Sequence, residues 1–218
     1  MRILTTDSLF AWERLQDSAS LATVRQFFDL LPDGKLLEAL QRHRGKGRGD
    51  FPVHVLWRVH VTRYLLRHVT TEACLAELER NPALRKVVGI EAGMKVPRPW
   101  NMSRFLEVLG LPQHLALLKE MFVELTRRLG SAVPDLGRHL AGDSASLNAR
   151  ADKDGNGSTL PQPDGGRKEY TDETGKVIRA YEWFGYKFHL LAEVKHEVIL
   201  DYVLTPATTA DSTVLPQA

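Results

Sequence analysis

The 218-residue chain is 43% apolar, enough for a hydrophobic core, and carries a formal net charge of +2. Its one cysteine, Cys74, excludes an internal disulfide framework and a cysteine-rich zinc site. No run approaches the roughly 18 uncharged apolar residues of a membrane span, and the opening MRILTTDSLFAWERL has no leader pattern. The expectation is a cytoplasmic protein with no membrane partner.

The charge is unevenly placed. Residues 1–149 hold 21 Lys and Arg against 16 Asp and Glu, whereas residues 150–218 hold 8 against 11. Contact with a polyanion is therefore to be sought in the first part.

The N-terminal part reads as helical throughout. Leu21, Val24, Phe27 or Phe28, and Leu31 have helical spacing, with Asp17 or Ser18 as a cap. Pro32-Asp33-Gly34 breaks this helix, and Leu36, Leu37 and Leu40 mark a short second one. Residues 41–50 then form a basic stretch in which Arg42, Arg44, Lys46 and Arg48 alternate with glycines. Two roles fit it: a loop that follows a phosphate backbone, or a solvated linker.

Pro52 opens a helix expected to reach Val69, with Val53, Leu56, Trp57, Val61, Tyr64 and Leu65 on its apolar face. Thr70 or Thr71 caps the next, and Asn81-Pro82 begins a short helix ending near Gly89. A loop through Val96-Pro97 and Arg98 leads to a helix capped by Asn101 or Ser103 and anchored by Phe105, Leu106 and Leu109. Arg98 and Arg104 stand where short helices could meet a DNA backbone or groove edge; a packing or dimerisation module is the alternative. Pro112 starts the clearest helix, with Leu115, Leu118, Phe122, Leu125 and Leu129 as its stripe and Arg127-Arg128 near its end.

Beyond it the pattern changes to strands. Leu140–Leu147 forms a first strand with Asp143 in its middle, followed by a polar insert at about 150–182. Within the insert, residues 168–176 suit a hairpin turning at Glu173-Thr174-Gly175. Phe184, Tyr186, Phe188 and Leu190 then alternate with Trp183, Lys187, His189 and Leu191, and a last alternation runs Val198, Leu200, Tyr202, Leu204.

These motifs, taken in order, resemble bacterial insertion-sequence DDE transposases of the broad IS4, IS5 and IS1182 group. The resemblance rests on Gly89, Val96-Pro97 and Ser103-Arg104-Phe105, then Asp143-Ser144, then Gly185, Lys187 and His189, and finally Thr205-Pro206 and Asp211-Ser212. It implies an α+β chain: a helical DNA-binding domain over 1–130, a linker over 131–138, and over 139–218 the incomplete front half of a ribonuclease-H-like fold. It implies Asp143 as the first metal-binding carboxylate, and Mg2+ or Mn2+ as the ions of the intact enzyme. Such ions activate a water or 3′-hydroxyl for DNA cleavage and strand transfer. The implied partner is double-stranded DNA at the element ends, and a homo-oligomer is compatible. Lys187 and His189 share a strand face that could meet phosphate, though packing explains them equally well.

Asp211 is expected to cap a helix. The second catalytic Asp and the final Glu have no counterpart before Ala218, so the chain reads as the front of a transposase without a complete metal site. Position 193 is Glu where the group commonly has Asp. Two other readings compete: a non-catalytic DNA-binding or regulatory protein built from these parts, and an unrelated metal-dependent hydrolase using Asp143, Asp152, Asp154 and His189.

Overall fold

A computed structural model describes residues 19–45, 51–149 and 161–214. Asp17, Ser18, Lys46, Arg48, Asp152 and Asp154 lie outside the described residues. The chain divides into two compact units, Met1–Met121 and Phe122–Ala218.

Among the described residues the first unit is all-helical: α1 (Ala19–Leu30), α2 (Gly34–Arg44), α3 (Val53–Leu65), α4 (Thr71–Arg80), α5 (Pro82–Val88), α6 (Pro99–Leu109) and the start of α7 (Pro112–Ala132). Its core takes side chains from each of α1 to α6, among them Val24, Leu36, Leu40, Val55, Val59, Leu78, Leu84, Val88 and Met102. Local chemistry sets the boundaries. Thr70 caps α4 by accepting from the Ala73 N–H at 3.1 Å, and Asn81 caps α5 by accepting from Leu84 at 3.0 Å. Gly89 closes α5 in the left-handed region, at φ 90°.

Several boundaries differ from expectation. No breaker stands between Leu40 and Gly45, so α2 continues through Arg42 and Arg44, and the first half of the basic stretch is helical. The helix after Pro52 stops at Leu65, and its buried residues are Val53, Val55, Trp57, Val59 and Thr62, while Tyr64 is 61% exposed. That segment is apolar on several sides, so spacing alone does not select the face. Helix α6 begins at Pro99, which places Asn101 in its third position, where its side chain accepts from the Arg98 N–H at 2.8 Å. Ser103 donates back to the Pro99 carbonyl and caps nothing. Helix α7 runs past Gly130 to Ala132.

Among the described residues of the second unit four strands form one antiparallel sheet: β1 (Leu140–Asn148), β2 (Asp164–Thr171), β3 (Val177–Glu193) and β4 (Val198–Pro206). The long β3 is the centre. Its C-terminal half lies between β1 and β4, and its N-terminal half pairs with β2. The expected hairpin is present: Asp172 Oδ1 accepts from the backbone N–H groups of Thr174 and Lys176, and Gly175 takes φ 82°. Its second arm runs without interruption into the strand bearing Lys187 and His189, so the latter part of the polar insert is ordered sheet.

The sheet is not closed. Within this unit Phe122 of α7 meets Tyr202 edge-on at 5.1 Å, and Tyr202 packs on Phe188 at 5.6 Å. Asp135 receives Lys195 and, at 3.2 Å, His196 Nε2, which ties the segment before β1 to the β3–β4 turn.

Candidate functional site

Two places gather the residues singled out from the sequence. The first is on the sheet. Antiparallel register sets Ser144 opposite His189 and Ser146 opposite Lys187, so these side chains share a face. On β4, Thr205 stands opposite Lys187. The turn after β4 brings Asp211 over this face. Its Oδ2 accepts from Ser144 Oγ at 2.9 Å, and its Oδ1 lies 3.4 Å from Lys187 Nζ and 3.5 Å from His189 Nδ1. Lys187 also donates to the Thr209 carbonyl at 2.8 Å.

Partial burial pushes the Asp211 carboxyl up, but the Ser144 hydrogen bond and the Lys187 ammonium outweigh it and hold the group below the usual range. His189 is 1% exposed. Burial lowers its pKa, the Lys187 charge lowers it further, and Asp211 only partly opposes them. The ring is therefore neutral at neutral pH. His189 Nε2 lies 2.9 Å from Thr205 Oγ1, whose hydroxyl also reaches the Pro206 carbonyl at 3.0 Å. The buried Nδ1 has no hydrogen-bond partner among the described residues.

Asp211 thus does not act as expected. It heads a single 3-10 turn, Asp211–Thr213, whose cap position is Ala210 and which receives no side-chain capping bond. Its carboxylate instead pins the chain after β4 onto the sheet. Asp143 stands opposite Leu190, and Leu190 opposite Tyr202. It is exposed, and its Oδ1 accepts from the next N–H, that of Ser144, at 2.7 Å. Alternation puts it on the other face of β1 from Ser144, so Asp143 and Asp211 do not share a face. Among the described residues no group of three His, Cys, Asp or Glu side chains could hold a metal ion. These residues alone do not fit a two-ion centre.

The second place is in the helical unit. Arg44, at the end of α2, and Arg104, on α6, line one groove of about 290 Å³ with Trp100, His43 and apolar residues of α2, α3 and α6. The Arg104 guanidinium lies over the Trp100 ring at 5.3 Å. Arg44 donates to the Phe51 carbonyl. Arg42 faces elsewhere: its Nε donates to the Glu38 carbonyl at 3.4 Å, and it borders a separate depression with Leu37 and His54. Arg98 is exposed at the start of α6.

The partners that sequence reasoning missed are Ser144 for Asp211 and Trp100 for Arg104. The second was accessible, being an i, i+4 pair on a helix. The first spans 67 residues and left no local trace.

Comparison with known families bears on the helical part. Residues 10–107 match a transposase domain family, DUF772. The match runs from before α1 into α6 and ends before the sheet, so a transposase-like domain occupies part of the chain. No curated protein and no solved structure matches it. Among the described residues no helix is long and apolar enough to cross a membrane.

Proposed function

We propose that the protein acts in DNA transposition, with the helical unit binding duplex DNA at the ends of an insertion element. The observation that carries this reading is the transposase-domain match over residues 10–107. Arg44 and Arg104 on one groove support it, because two guanidiniums beside an exposed ring suit a phosphate backbone. Arg42, Arg98, Lys46 and Arg48 are the further candidate contacts.

In this reading the sheet is the front of a ribonuclease-H-like catalytic fold of the DDE type, and Asp143 is its first carboxylate. Mg2+ or Mn2+, when held by a complete carboxylate set, would supply the charge that activates the nucleophile and stabilises the scissile phosphate. The role of this chain is to fix Asp143 on a paired strand, with its carboxylate oriented by the Ser144 N–H. The test is strand cleavage and joining by the full reading frame that encodes this chain. Asp143→Asn abolishes both while DNA binding persists; retained cleavage in that variant overturns the assignment.

A further inference from the structure

We propose that the β2–β3 hairpin binds an unpaired nucleic-acid strand on one face, with bases stacked on Tyr170, Tyr181 and Trp183 and phosphates on Lys168 and Arg179. The proposal stands independently of the transposase reading, since it concerns a surface beyond the family match.

Register creates this face. Lys168 pairs with Tyr181, Tyr170 with Arg179 and Gly166 with Trp183, so the five side chains project from the same side of the hairpin. They line a groove of about 480 Å³ that ends at Lys187. Tyr181 and Trp183 are stacked, their ring centres 5.8 Å apart with planes inclined by 24°. Trp183 is fixed in place: its Nε1 donates to the Tyr186 carbonyl at 3.0 Å, and its indole lies across Gly166, where a Cβ would overlap the ring. The tyrosines are open to solvent, at 45% for Tyr170 and 40% for Tyr181.

The charges on the two faces of the hairpin differ in kind. On the reverse face Arg167 is neutralised by Glu169 at 2.8 Å and by Glu182 at 3.1 Å. On the groove face Lys168 lies over Tyr170 at 5.7 Å, and neither it nor Arg179 forms an ion pair among the described residues. Asp211, at the groove's end, is already engaged by Ser144 and Lys187. A row of aromatic rings between uncompensated cations is the pattern that binds single strands, because any unstacked base offers a π-face. A duplex keeps those faces covered, and this selects the unpaired strand.

The test uses the full chain in an Arg44→Gln/Arg104→Gln background, which removes the helical groove's contribution. Fluorescence anisotropy follows a labelled oligo-dT, a blunt duplex of the same length, and an unlabelled glutamate-rich peptide as competitor. Oligo-dT is expected to bind more tightly than the duplex. Tyr170→Ala and Tyr181→Ala should each weaken it about tenfold, with circular dichroism unchanged, and Tyr181→Phe should restore it. Undiminished binding by both alanine variants overturns the proposal, as does a duplex bound as tightly as oligo-dT. Displacement by the peptide with no effect of the aromatic substitutions assigns the face to an acidic protein partner instead.

Discussion

At Gly185 the chain has φ 153°, and a Cβ there would run into the Leu147 carbonyl oxygen on β1 and the Ala149 nitrogen just past its end. Backbone conformation and contact both demand glycine, at the point where β3 passes from β2 to β1 and β4 as partners. Gly185→Ala is expected to cost about 3 kcal/mol or more, combining overpacking with a disfavoured φ, and urea denaturation reads it directly. A melt like that of the unchanged chain contradicts this register. His60 gives a pH-dependent counterpart in the helical unit. Burial, aided by the Arg63 charge, lowers its pKa from 6.5 to about 4. The unfolded chain therefore takes up this proton first. The stability is fully present above pH 6.5 and is lost as pH falls toward 4. His60→Gln should flatten the acid limb of stability against pH in that window; an unaltered limb assigns the loss to other groups. Strand alternation in the sequence already put Lys187 and His189 on one face. The physical demand for glycine at 185 was hidden, because it arises from β1, nearly 40 residues earlier.

Among elements, the hairpin and the capped helices allow the sharpest tests. Thr70→Ala removes the hydrogen bond to the Ala73 N–H and should destabilise the helical unit by about 1 kcal/mol, while Thr70→Ser should restore most of it. Loss in both variants alike would mean that the cap is not what the hydroxyl supplies. Asp172→Ala removes three bonds to Thr174 and Lys176 that close the β2–β3 turn. Faster amide exchange along β2 is the expected result, and exchange confined to the turn would contradict it. Caps were legible because Thr70 and Asn81 act within three residues of their own position. The end of α2 was read too early, since basic residues at a helix C-terminus favour the dipole and do not stop the helix. The length of β3 was hidden for a different reason. Its N-terminal half, including exposed Val177 and Ile178, buries no apolar face that would mark it as a strand.

For the molecule as a whole, the division of charge matches the division of structure. The excess of Lys and Arg lies in the part that matches a transposase domain. The sheet that follows is antiparallel and unclosed, and it presents Asp143 on one face and the Asp211 cluster on the other. The order of helices then strands could be read from periodicity, and the hairpin from its turn residues. The side of the sheet that Asp143 occupies relative to Asp211 could not, because it depends on register across strands distant in sequence. The measurement that tests the central claim most directly is the salt dependence of duplex-DNA binding by the chain and by its Arg44→Gln/Arg104→Gln variant. The expected result is binding at low salt, with the slope of log K against log salt concentration reduced by about two in the variant, about one for each phosphate contact removed. No binding at low salt, or a slope that the two substitutions leave unchanged, would contradict a DNA-binding role for this groove.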